Sequence, residues 1–163
     1  MSFSRFVQAA AVSLLLIGAF ALPAHAQANN PIRSGNFYED RALGTSNSLV
    51  LLLTFAQSPT DKFLNITNVS CKVTLNTSTQ VLTDAFINVG TSRGANDLNR
   101  TYSILGNTVQ RVVNSQSLYS ITADQIFYKV GPGRWPSIEI DAGSATGGVF
   151  VSSCVIVGNL TDN

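Results

Sequence analysis

Apolar residues in this chain come in short runs that alternate with polar ones, and Gly, Asn, Ser, Thr and Asp repeatedly cut the runs off. Alternation with a period of two places successive side chains on opposite faces of a strand, so this texture belongs to half-buried β structure. Leu64 and Ile66 alternate with Asn65 and Thr67, and Ile138 and Ile140 alternate with Ser137, Glu139 and Asp141. No window carries the i, i+3, i+4, i+7 apolar spacing of an amphipathic helix over several turns, and Glu and Lys are scarce. Any helix is expected to be a turn or two, with Thr122-Ala123-Asp124-Gln125 as its place.

Individual strands follow from the same pattern. Residues 49–55 are almost continuously apolar, which predicts a central strand covered on both faces. After Ile66 the apolar phase slips by one to Val69, Cys71, Val73 and Leu75. A slip of one residue would turn these side chains to the wrong face, so a β-bulge or bend is predicted between Thr67 and Val69. Residues 81–89 put Val81, Ala85, Ile87 and Val89 on one side, and residues 90–99 read as a loop. Shorter strands are expected over 102–105, 109–113 and 118–121, around turns at Gly106-Asn107 and Asn114-Ser115. Residues 126–130 then meet Gly131-Pro132-Gly133, read as a tight reversal. The last strand, 149–157, is apolar on both faces and belongs in a sheet interior.

About nine or ten such strands without an internal repeat predict one all-β domain of two packed antiparallel sheets, a sandwich of jelly-roll or Greek-key type. A closed barrel is the alternative, because pattern alone does not separate closure from stacking.

The N-terminus is expected to be removed. Arg5 lies in a short polar head, residues 9–22 are apolar, and Ala24-His25-Ala26 precedes Gln27, the three-part layout of a signal peptide. This reading divides the chain into a leader, 1–26, and a single domain, 27–163, with a flexible arm over about 27–34, and predicts a secreted or periplasmic product. His25 is the only histidine. A mature chain from Gln27 therefore has no imidazole, which excludes histidine-dependent triads and His-bearing zinc sites. No apolar run reaches the roughly 20 residues a bilayer-spanning helix needs, so no membrane span is expected.

The sequence has ten Lys plus Arg and nine Asp plus Glu. Losing Arg5 leaves nine against nine, with neither sign clustered, which argues against nucleic acid as a partner and against a polybasic membrane patch. Cys71 and Cys154 are the only cysteines. In an exported chain they are expected to form a structural disulfide tying an early strand to the last one. Two-residue spacing, the mark of a redox pair, is absent.

Few residues suggest chemistry. Trp135, the only tryptophan, directly follows the Gly131-Pro132-Gly133-Arg134 turn, read as a hairpin tip. Trp135 and Arg134 are therefore the candidate ligand contacts, for stacking on a sugar ring or entering a membrane interface, and folding inward to cover the open end of the sandwich is the plainer reading. Tyr102, Tyr119 and Tyr128 could extend such a face, but each reads more simply as a core or rim residue. Glu139 and Asp141 share one face of a strand and could ligate calcium or act as acid and base on a glycoside; alternating acids on a solvated face are the plainer reading. Glu39-Asp40-Arg41 reads as a turn or exposed strand end, and residues 143–148 as a hairpin loop rather than a phosphate cradle. Asn65, Asn68, Asn76, Asn99 and Asn159 match Asn-x-Ser/Thr at the rate expected of an Asn- and Ser-rich chain, and no glycosylation is inferred. No catalytic residue, cofactor or metal site is assigned. The expected function is surface or ligand recognition by a non-catalytic sandwich, with a carbohydrate or a cell-surface protein as partner. A structural subunit of an envelope or extracellular assembly, hence a homo-oligomer, is the alternative, and a carbohydrate-active enzyme the third.

Overall fold

The computed structural model describes residues 30–143 and 149–162. The expected leader, residues 27–29 of the expected arm and most of the 143–148 loop lie outside them. The described residues form eleven strands and no helix. These are β1 (Ile32–Ser34), β2 (Phe37–Gly44), β3 (Val50–Thr54), β4 (Phe63–Leu75), β5 (Val81–Gly90) and β6 (Tyr102–Ser103). They continue with β7 (Thr108–Val113), β8 (Gln116–Ala123), β9 (Tyr128–Val130), β10 (Trp135–Gly143) and β11 (Val149–Thr161).

Two antiparallel sheets pack face to face, a sandwich rather than a closed barrel. The larger runs β1-β2-β11-β4-β8-β7, with β9 pairing the first part of β4; the smaller runs β3-β10-β5-β6. The late strands return to the middle: β11 lies between β2 and β4, and β10 between β3 and β5. That placement explains why β11 is apolar on both faces. Inward side chains of both sheets, among them Tyr38, Leu53, Phe55, Leu64, Ile87, Ile121, Ile138 and Ile156, are fully buried in one core. Closing such pairs over long sequence separations is costly in loop entropy and is repaid only by this shared apolar burial.

The predicted bulge is present. Val157 pairs Asn68 and Gly158 pairs Ile66, leaving Thr67 as the extra residue of β4. It lies where β4 changes partner, from β9 at residues 64–66 to β8 at 69–75. The carbonyl of Thr67 accepts the Ile126 N–H at 2.8 Å, so the displaced backbone stays paired. Gly158 faces this site, and a β-carbon there would run into the Asn65 carbonyl.

Several expectations are corrected. β3, expected to be central, is an edge strand of the smaller sheet, and Val50 is 45% exposed. Its unbroken apolar run arises because Leu51 and Leu53 fill the core while Leu52 is only partly covered outside. Val81 does not share the buried side of Ala85, Ile87 and Val89. A second bulge, with Asp141 pairing Asp84 and Ala142 pairing Leu82, absorbs Thr83 and turns Leu82 toward the core instead. Residues 122–125 are not helical: Thr122 and Ala123 end β8, and Gln125 has φ 58°. The arm is extended at its end, since Ile32–Ser34 pair with β2 across Gly35-Asn36. Glu39-Asp40-Arg41 is neither turn nor strand end but the middle of β2, with Asp40 2% exposed. Finally, Gly131-Pro132-Gly133 joins β9 of the larger sheet to β10 of the smaller, so it is an inter-sheet connection and not a hairpin tip.

Candidate functional site

Alternation along β10 sends Pro136, Ile138 and Ile140 into the core and leaves Trp135, Ser137, Glu139 and Asp141 on the outer face. Register supplies their neighbours. On β5, Gly90 lies opposite Trp135, Asn88 opposite Ser137, Phe86 opposite Glu139 and Asp84 opposite Asp141. The sequence-level pairing of Glu139 and Asp141 on one face therefore holds, and the fold adds a third carboxylate, Asp84, from a distant strand.

One end of this face is covered by residues 91–99. Gly90 permits the covering, because a β-carbon there would collide with the backbone of Ala95. Asn96 donates from Nδ2 to Glu139 Oε2 at 2.6 Å, and Asn88 Nδ2 reaches the same oxygen at 3.1 Å. Ser137 Oγ donates to Asn96 Oδ1 at 3.2 Å. Asp97 closes the loop on itself, accepting the Thr91 N–H at 2.8 Å and the Thr91 hydroxyl. These donors hold the Asp97 carboxyl below its usual range, with a smaller contribution from nearby Arg134. Burial, and then the charge of Asp141, push Glu139 up; burial, and then Asp84, push Asp141 up.

The connection before Trp135 is clamped to residues 56–60. Ser58 accepts the Arg134 N–H on Oγ at 2.9 Å and donates that hydroxyl to Gly131 O at 2.7 Å. Its own N–H reaches Arg134 O at 2.9 Å, while Gly133 N–H reaches Pro59 O at 3.0 Å. Gln57 Nε2 donates to Gly133 O at 2.9 Å. Gly133 takes φ 65°, the left-handed conformation that closes the turn. Ser58 is 2% exposed, so most of these bonds are shielded from water.

Trp135 and Arg134 are both half-buried, so Trp135 is neither an open anchor nor a core residue. Of the tyrosines, Tyr119 and Tyr128 belong to the core, with Tyr128 donating to Arg100 O at 2.7 Å, and Tyr102 is exposed. Sequence reasoning missed Asn88, Asn96, Asp97, Gln57 and Ser58, since nothing local distinguishes a loop Asn that folds onto a sheet from one left in solvent. It also missed Phe127, which is 90% exposed between buried Ile126 and Tyr128; strict alternation through 126–130 was the available signal.

Cys71 and Cys154 form the expected disulfide, on directly opposed residues of β4 and β11. Among the described residues no group of three or more His, Cys, Asp or Glu side chains is arranged to hold a metal ion. No described helix is long and apolar enough to cross a membrane. In comparisons with known proteins, no family model, no curated protein and no solved structure matches this chain.

Proposed function

We propose that this chain is a non-catalytic recognition module of the cell exterior or periplasm, and that it contacts a carbohydrate or a glycan-bearing surface protein through the end of the sandwich bearing Trp135 and Arg134. The clamp around Ser58 is the observation that carries this reading. Five hydrogen bonds fix the backbone of the connection that carries Arg134 and leads into Trp135, and binding to groups on a backbone already held in place costs less ordering entropy. An indole and a guanidinium on adjacent half-buried residues also offer the chemistry that sugar rings and their acidic substituents call for. The Cys71–Cys154 bridge supports an oxidising compartment.

Arg134→Ala and Trp135→Ala tested against immobilised polysaccharides and cell-surface extracts decide the matter. Arg134→Ala keeps the backbone bonds of the clamp and is expected to weaken retention at least tenfold with an unchanged melting temperature. Wild-type retention by both variants would remove the site, and turnover of a glycan by the purified protein would overturn the non-catalytic assignment. A second reading, a subunit of an extracytoplasmic assembly, draws on a different region, the free edge of β7.

A further inference from the structure

We infer that β7 is a self-complementary docking edge that pairs antiparallel with β7 of a second copy about a twofold axis through Gln110. Other sheet edges among the described residues are short or blunted by their own side chains. β1 has three residues and follows Pro31, which has no N–H to offer. Beyond β1, the Arg41 N–H of β2 is taken by Asp40 Oδ1 at 2.8 Å. At the β3 edge, Val50 O accepts the hydroxyls of Ser46 and Ser48 at 2.8 and 2.7 Å, and the following Ala56 N–H is held by Asp40 Oδ2 at 2.7 Å. β6 is two residues long. β7 has six residues, five of them exposed, with Val109 and Val112 each 57% and Val113 46% exposed. Its only charged side chain is Arg111.

The direction of its free backbone groups follows from its hairpin. Val113 and Gln116 close a two-residue turn at Asn114-Ser115, whose φ angles of 49° and 62° make it the primed type that fits a hairpin. The closing pair of such a turn is hydrogen-bonded, and bonded pairs recur at every second residue. Val113, Arg111 and Val109 therefore face β8, in agreement with the bond from Thr122 N–H to Asn107 O at 3.1 Å. Thr108, Gln110 and Val112 point their N–H and C=O groups away from the sheet.

Those three positions fix one twofold register. Gln110 pairs with its own copy, and Thr108 pairs with the second copy's Val112 in both directions, so every outward backbone group within β7 finds a partner. The axis stands perpendicular to the sheet, keeping the outer faces of both copies on the same side. Val109 then lies opposite Arg111 of the second copy, and the two guanidiniums sit on a diagonal instead of face to face, where like charges would oppose pairing. A twofold pairing of this kind closes on itself and gives a dimer, with the larger sheets of two molecules joined into one.

Sedimentation of the purified, disulfide-bonded protein across a hundredfold range of concentration tests this. A concentration-dependent monomer–dimer equilibrium that strengthens with salt, as the diagonal guanidiniums are screened, is expected. Gln110→Pro removes the central outward N–H without touching the ladder to β8, and is expected to leave a folded monomer by far-UV circular dichroism. Two substitutions at Val109 give opposite signs: Val109→Glu faces Arg111 of the second copy and should tighten the dimer at least threefold, whereas Val109→Lys should loosen it by a similar factor. A wild-type chain that stays monomeric throughout, a dimer that survives Gln110→Pro, or equal effects of Glu and Lys at position 109 would each overturn the inference. None of these outcomes bears on the Trp135 end, whose binding assay uses monomer or dimer alike.

Discussion

The two sheets of this sandwich hold their strands by different means. In the larger, the two longest strands, β4 and β11, run side by side and are joined covalently at their middle by Cys71–Cys154. The smaller has no covalent link. It is held by side chains of modest individual worth: Asp40 reaching from β2 to the Ala56 N–H, Ser58 clamping the entry to β10, and the Asn88–Glu139–Asn96 contacts under residues 91–99. The cross-link thus lies in the larger sheet, while the smaller sheet, fixed by these side-chain bonds, carries the end that bears Trp135.

Removing the disulfide should break this contrast most strongly. The chain-entropy relation gives about 4.5 kcal/mol for a loop of this span, and native bridges in small secreted domains usually contribute about 2–5 kcal/mol. Cys71→Ser combined with Cys154→Ser is expected to lower the urea midpoint accordingly without changing the secondary structure of any remaining folded fraction. A loss under 1 kcal/mol would show that the larger sheet does not depend on its cross-link.

Next in size is Asp40→Ala. This carboxylate is buried and accepts two backbone N–H groups, from Arg41 and Ala56, so truncation leaves the Ala56 donor without its partner beside the core. Stranding a buried donor costs about 1–3 kcal/mol. Chemical denaturation measures it, and a neutral result would mean that the β2–β3 joint is not held by this side chain.

Acid titration sharpens the comparison further. Burial raises the carboxyl of Asp40 above its usual range, more than its hydrogen-bond donors lower it, and burial and neighbouring carboxylates raise Glu139 and Asp141. A carboxyl whose pKa is higher folded than unfolded binds its proton more tightly in the native state. These three groups therefore favour folding most below the unfolded carboxylate pKa, and that contribution is lost as pH rises through their folded values. Asp97 works in the opposite sense: its folded value is depressed, so its contribution is present above the unfolded pKa and lost as pH falls through the folded one. Denaturation midpoints are accordingly expected to hold or rise as pH falls from 7 toward the carboxylate range, and Asp40→Asn should flatten that rise. A steady fall over the same interval would contradict the assignment.

Glu139→Gln is the mildest test. The amide oxygen still accepts from one Asn, and the repulsion with Asp141 disappears, so stability should change by no more than about 0.5 kcal/mol, as is usual for partly exposed positions. Faster amide exchange confined to residues 91–99 is the expected signature. Unchanged exchange would mean that the loop does not depend on its Glu139 contacts.

Much of this architecture was legible without coordinates. Alternation at 64–67 and 137–141 reports which side chains face the core, because a strand has only two faces. The slip before Val69 located the Thr67 bulge for the same reason: a phase error has to be absorbed where it arises. Two cysteines in strongly apolar strands of a chain expected to be exported were enough to expect the bridge. Alternation also separates the core isoleucines of β10 from its outer carboxylates.

Tertiary structure decided everything that depends on which strands become neighbours. Leu51 and Leu53 bury as well at an edge as in a centre, so residues 49–55 could not report that β3 has a free side. Thr83 shows no break in hydropathy sharp enough to reveal the bulge that exposes Val81. Asn96 reaches Glu139 across forty-three residues of chain, and Asp84 meets Asp141 only because β10 returns beside β5. Local sequence sets the face of each side chain through backbone stereochemistry, but partners across sheets are chosen by the packing of the whole core, a property of all the strands together and of no single segment.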